Sequence, residues 1–124
     1  MTKTNKKARS IMKNKSLKAG HELVISVYKY TGHFPAEEAN GLTLQLRNTA
    51  VNIPESIAEG FGRMYDDELG LFLSTSLGFV SKLAYIVQLS FQLGYLDTDE
   101  LKSLEEKIED VRLLLNASIT KIAA

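Results

Sequence analysis

The sequence predicts an all-α protein, an antiparallel up-down four-helix bundle with its second helix kinked at Pro54. Three observations carry this reading. Apolar residues recur at spacings of three and four along four long segments, the period of helices that bury one face. Glycine, proline and capping residues punctuate those segments and leave short connections, which make successive helices antiparallel neighbours. No stretch alternates with the period of two that a half-buried strand requires, and no solenoid-type repeat is present.

Composition bounds the rest. A chain of 124 residues is one domain, large enough to bury its own core. It has no cysteine, which removes disulfides and thiolate metal sites and agrees with a reducing cytoplasm. No apolar run is expected to approach the roughly 20 residues that span a bilayer, and no signal-peptide core follows the basic N-terminus. The expectation is therefore a cytoplasmic protein with no membrane contact. Formal net charge is zero, but its distribution is lopsided. Lys3, Lys6, Lys7, Arg9, Lys13, Lys15 and Lys18 all fall in the first 18 residues, with no acid among them, so the remainder is acidic. Residues 1–14 read as a basic flexible arm and residues 15–124 as the bundle. Such an arm gains salt-sensitive, sequence-independent affinity for nucleic acid. It has no aromatic ring to stack on bases, and its plainer reading is a solvated terminus.

The first helix is expected over residues 16–31, capped by Ser16, with Leu17, Val24, Val27, Tyr28 and Thr31 on one face and Gly32 as its stop. His21 and His33 lack the spacing or companions of a metal site, so no metal or other cofactor is expected. Phe34-Pro35 opens the second helical region, with Pro35 suited to a first helical position and Glu37 and Glu38 favoured by the helix dipole. Asn40-Gly41 either breaks this turn or is absorbed.

The chain is organised around the stretch that follows. Wound as a helix, Leu46, Ala50, Ile53, Ile57 and Phe61 fall on one side, and Asn48, Asn52, Glu55, Ser56, Glu59 and Arg63 on the other. Pro54 removes a hydrogen bond, so the helix is expected to kink or to restart with Asn52 and Glu55 as a capping box. It should end near Gly60, where Gly60-Phe61-Gly62 turns the chain. No strand precedes these glycines, so they are not a dinucleotide-binding loop.

The third helix should begin at Asp66-Asp67-Glu68 and end near Leu93, before Gly94. Its main stripe is Leu69, Phe72, Leu73, Ser76, Val80, Leu83, Ala84, Val87 and Phe91. A second apolar stripe lies nearly opposite: Leu71, Gly78, Ile86, Leu89 and Leu93, with Thr75 and Lys82 interspersed. Exposed rows of that length mark interfaces, so these residues are the candidate subunit contact, with Lys82 needing an acid such as Asp110 across it. Ser74, Ser76, Ser81 and Ser90 have no paired base and read as packing residues rather than nucleophiles. The fourth helix starts with a capping box at Asp97 and Glu100. Its seam is Leu101, Leu104, Ile108, Val111, Leu115, Ser118 and Ile122, and its outer face is acidic through Glu105, Glu106, Glu109 and Asp110.

Val-Asn-Ile-Pro-Glu-Ser-Ile-Ala-Glu-Gly-Phe-Gly-Arg, residues 51–63, resembles the four-helix-bundle family encoded within intervening sequences of bacterial 23S ribosomal RNA genes. Phe34-Pro35 with Glu38, residues 44–47, Phe72-Leu73-Ser74 with Leu77-Gly78, and residues 92–96 agree with it. The chain departs at Ser56, where the family usually has asparagine, and at Asn52, where it often has serine. The resemblance implies a cytoplasmic bundle that assembles as a ring-shaped homopentamer and has no enzyme activity. Related bundles serve as accessory proteins of diversity-generating retroelements, where they bind a reverse transcriptase and nucleic acid.

Three functions compete. The first is a non-catalytic oligomer that binds RNA or a nucleoprotein through the basic arm, with Arg47 and Arg63 beside the polar stripe. The second is a protein-interaction or accessory module with no nucleic-acid contact, using that stripe (Asn52, Glu55, Ser56, Glu59, Gly60, Arg63) or the acidic face. The third is an enzyme using Glu55, Glu59 and Arg63 as an acid/base group; no small-molecule substrate is expected. It is the least supported, because Glu59 and Arg63 stand at the spacing of a simple helix ion pair.

Overall fold

The computed structural model describes residues 14–123. Its α-helices are α1 (Lys15–Thr31), α2 (Leu42–Phe61), α3 (Asp66–Gln92) and α4 (Thr98–Ala123), with a short 3-10 turn, Ala36–Glu38, before α2. Each helix packs on the next and α1 closes against α4, the contact pattern of an up-down four-helix bundle. The basic arm lies outside the described residues except for Asn14.

Each helix supplies one stripe to the core. Leu46, Ala50, Ile53 and Ile57 of α2 face Leu73, Val80, Leu83 and Val87 of α3, and Leu104, Ile108, Val111 and Leu115 complete it from α4. In α1 the buried stripe is Ser16, Gly20, Leu23, Val27 and Thr31. Leu17 and Val24, expected on that face, are half-buried, and Tyr28 is exposed. The cap of α1 is Asn14 rather than Ser16. Its Oδ1 accepts from the Leu17 amide at 2.9 Å and from the Ser16 hydroxyl at 2.5 Å.

Pro35 precedes the 3-10 turn, and Asn40-Gly41 does break the chain before α2. α2 then runs through Pro54 without restarting, so Asn52 lies in the helix interior and caps nothing. Tertiary packing outweighs the local signal. Pro54 forfeits one helix hydrogen bond, but Ile53 and Ile57 beside it are wholly buried, at about 1.5–3 kcal/mol each. The Ser76 hydroxyl of α3 also donates to the Ile53 carbonyl at 3.0 Å.

Gly60 is likewise inside α2 and buried; the helix ends at Phe61, with the Gly62 amide donating to the carbonyls of Ala58 and Glu59. At the far end of α3, Gly94 has φ +85°, its amide donates to the Phe91 carbonyl, and the Tyr95 amide reaches back to Ser90. These are the two bonds of a Schellman stop. The capping box of α4 forms as expected, with the Asp97 amide donating to Glu100 and the Glu100 amide to Asp97.

Candidate interaction surface

The polar stripe of α2 lies on its outward side and meets α3 at Arg63. Asn52 and Ser56 are half-buried, while Glu55, Glu59 and Arg63 are exposed. Arg63 pairs with Glu59 at 3.2 Å and lays its guanidinium over the Phe72 ring, 4.8 Å from the centroid. Arg47 is also engaged: Nε donates to the Thr31 hydroxyl at 2.9 Å, and the guanidinium stacks 4.6 Å over Tyr28. Both body arginines proposed for nucleic acid are thus tied into α1–α2 and α2–α3 contacts. Lys15 and Lys18 are exposed at the start of α1, whereas Lys3, Lys6, Lys7, Arg9 and Lys13 lie outside the described residues. Among the described residues no group of three His, Cys, Asp or Glu side chains is placed to hold a metal ion. His33 instead meets Glu100 at 2.7 Å, joining the α1–α2 connection to the start of α4. The hydroxyls of Ser76 and Ser90 are buried and donate to main-chain carbonyls, as packing residues do.

Two widely separated motifs meet at one end of the bundle. Glu38 Oε1 accepts from the Leu42 amide at 2.9 Å, capping α2 from the 3-10 turn, and Oε2 accepts from the Tyr95 hydroxyl at 3.1 Å. The buried Phe34 ring packs 5.4 Å from that of Tyr95. Phe34, Glu38 and Tyr95 therefore form one latch between the α1–α2 and α3–α4 connections. The hydrogen bond to Glu38, with some burial and the nearby negative charge, raises the Tyr95 pKa above its ordinary 10.0. Glu38 was legible only as an acid near a helix start; its partner is 57 residues away.

The outward face of α3 is a row of exposed apolar side chains that no other element covers among the described residues. Leu71 is 70% exposed, Tyr85 68% and Leu93 53%. Thr75, Gly78 and Lys82 are exposed between them, and a Cβ on Gly78 would have no heavy atom within 4 Å. Ile86 is a correction: at 4% exposure it belongs to the core, because α3 packs against both α2 and α4 and so buries an arc wider than one stripe. Leu89 is half-buried against the core. Tyr85 takes the place given to Ile86, and the spacing from Lys82 to Leu89 shows that it completes the row. Between Glu68 and Asp97, Lys82 is the only charged residue. Against expectation, α3 is long and apolar enough to cross a membrane by length and composition, with 33% of its most apolar stretch buried in the bundle.

No curated protein matches the chain. The model of the 23S rRNA-intervening sequence protein family matches residues 12–117, which takes in all but the end of the bundle. The latch residues and the α2 stripe fall inside that span, and on this match the chain belongs to the 23S rRNA-intervening sequence protein family.

Proposed function

We propose that this protein is a non-catalytic, cytoplasmic, self-assembling bundle, a homopentamer on the family resemblance, whose basic N-terminus contacts RNA or a nucleoprotein. The observation that carries the reading is the outward face of α3. A solvated helix normally hydrates the side opposite its core stripe with charge. Here that side offers Leu71, Tyr85 and Leu93 with Lys82 as its one charge, the composition of a surface meant to be covered. The reading assigns no cofactor and no small-molecule substrate.

A second reading, a protein-interaction module without direct nucleic-acid contact, draws support from the engagement of Arg47 and Arg63 with Tyr28 and Phe72. Sedimentation velocity at tens of micromolar tests the assembly, a range in which a specific interface of ordinary size should hold. Five-chain particles are expected, and Leu71→Glu with Leu93→Glu should give a smaller species that remains helical. A monomeric unmutated protein overturns the proposal. Filter binding of RNA then separates the two readings: retention that falls with salt supports the first, and no retention at low salt supports the second.

A further inference from the structure

The outward face of α3 needs a mate, and the surface of the same chain offers one. On α1, Ile25 and Tyr28 are exposed one helical turn apart; on α2, Leu44 is exposed one turn before Arg47. Arg47 stacks on Tyr28, so these residues form one ridge across the α1–α2 contact. One turn beyond Ile25 the α1 side carries the exposed Glu22, and the exposed Glu55 lies further along α2. The ridge is therefore apolar along part of its length, and at one end it carries two acids, Glu22 and Glu55, with the exposed Lys18 one turn beyond Glu22 on α1. It complements the α3 face, which is apolar with one central cation. No ion pair forms at Lys82 among the described residues.

Two other contacts fit less well. An isologous α3–α3 contact pairs residue i of one copy with residue j of the other and j with i, so that only residues at the two-fold axis meet their own copies. Lys82 lies midway between Leu71 and Leu93, so a contact centred on that row sets two ammonium groups together on a face with no acid to relieve them. The outer face of α4 supplies acids, but Leu113 is its one large apolar side chain in water, among Glu105, Glu106, Glu109 and Asp110.

We infer that the α3 face of one copy docks on the α1–α2 ridge of a second copy, with Lys82 directed to the Glu22–Glu55 end. The inference rests on the self-assembly reading and specifies its geometry. The contact is heterologous, so each chain offers a donor face and an acceptor face and can hold two neighbours. Such contacts close into rings when the rotation permits.

The chain has no cysteine, so paired cysteine variants report the contact directly. Gly78→Cys marks the α3 face; Ile25→Cys and Tyr28→Cys mark the ridge. After mixing under assembly conditions and treatment with a short bis-maleimide, a linked dimer is expected only where Gly78→Cys meets a ridge variant. Chains carrying both marks should give a ladder of multimers. Lys82→Glu or Glu22→Lys alone should raise the concentration needed for assembly on the order of tenfold, and the double reversal should restore it. Unmutated protein that sediments as a monomer overturns self-assembly itself. An assembled protein in which Gly78→Cys links to itself, or in which no mixed pair links, overturns this pairing and leaves self-assembly standing. A monomer that pellets with neutral phosphatidylcholine vesicles overturns both and assigns the α3 face to lipid.

Discussion

Gly60 and Gly20 look alike in the sequence and do different work. A Cβ on Gly60 would lie 2.9 Å from Phe72 Cβ and 3.0 Å from Leu69 Cδ1, closer than α2 and α3 can tolerate without moving apart. At Gly20 the nearest atom would be Pro54 Cβ at 3.5 Å, an ordinary contact. Gly60→Ala should therefore destabilise by about 1–2 kcal/mol, the overpacking cost less the helix-propensity gain, and Gly20→Ala should stabilise by about 0.5–1 kcal/mol. Urea denaturation of the two variants checks this, and equal signs would refute the distinction. Gly60 reads locally as a helix stop because its reason lies on α3, which no local spacing reveals. Tyr95 poses the same problem, since its partner Glu38 is remote in sequence. Its pKa is raised in the folded state, so the folded chain holds this proton more tightly than the unfolded chain does. The corresponding stability is complete below the unfolded value near 10 and is lost as pH rises through the folded value. Thermal melts from pH 8 to 11 should show an alkaline loss of stability that Tyr95→Phe reduces; an unchanged alkaline slope in that variant would remove Tyr95 as its source.

Both ends of the α3–α4 connection were legible because the deciding chemistry is local, whereas the equally local cap of α1 falls on Asn14 and not on Ser16. The Asp97–Glu100 box and the Gly94 stop depend on neighbours within six positions, and both form. Gly94→Ala should cost about 1–2 kcal/mol because an L-residue pays for φ +85° even where nothing crowds its Cβ. Gly94→Asn should cost less, since asparagine tolerates that conformation. Calorimetric melts would rank the two, and an alanine variant as stable as the parent would show that the stop is held elsewhere. Where tertiary contacts compete, local signals misled. Asn52 and Glu55 spell a cap beside Pro54, yet the burial of Ile53 and Ile57 and the Ser76 hydrogen bond carry α2 through Pro54 as one helix. Ile86 failed for a related reason: α3 packs against both α2 and α4, so its buried arc is wider than one stripe. The four-helix order itself was readable because it depends only on period and punctuation.

At the scale of the whole molecule, charge separates what the bundle does from what its N-terminus does. The body carries an acidic excess, and its two arginines nearest the polar stripe are occupied by rings and neighbours. On the RNA-binding proposal, phosphate affinity therefore comes chiefly from the start of the chain. Asn14, Lys15 and Ser16 line an open depression with Leu114, Ser118 and Lys121, so the N-terminal residues join the bundle beside two exposed lysines, Lys15 and Lys121. A truncation that tests this must spare Asn14, because removing the cap of α1 would mix a folding defect with a binding defect. Deleting residues 2–13 removes Lys3, Lys6, Lys7, Arg9 and Lys13 and leaves the cap in place. If all five neutralise phosphates on single-stranded RNA, the slope of log affinity against log salt should flatten by roughly 3.5, at about 0.7 per phosphate contact. Binding should weaken most at low salt, while sedimentation and helicity stay as in the full chain. An unchanged affinity and slope would exclude the N-terminus as an RNA contact and favour the protein-interaction reading. Loss of assembly on truncation would instead place these residues in the subunit contact.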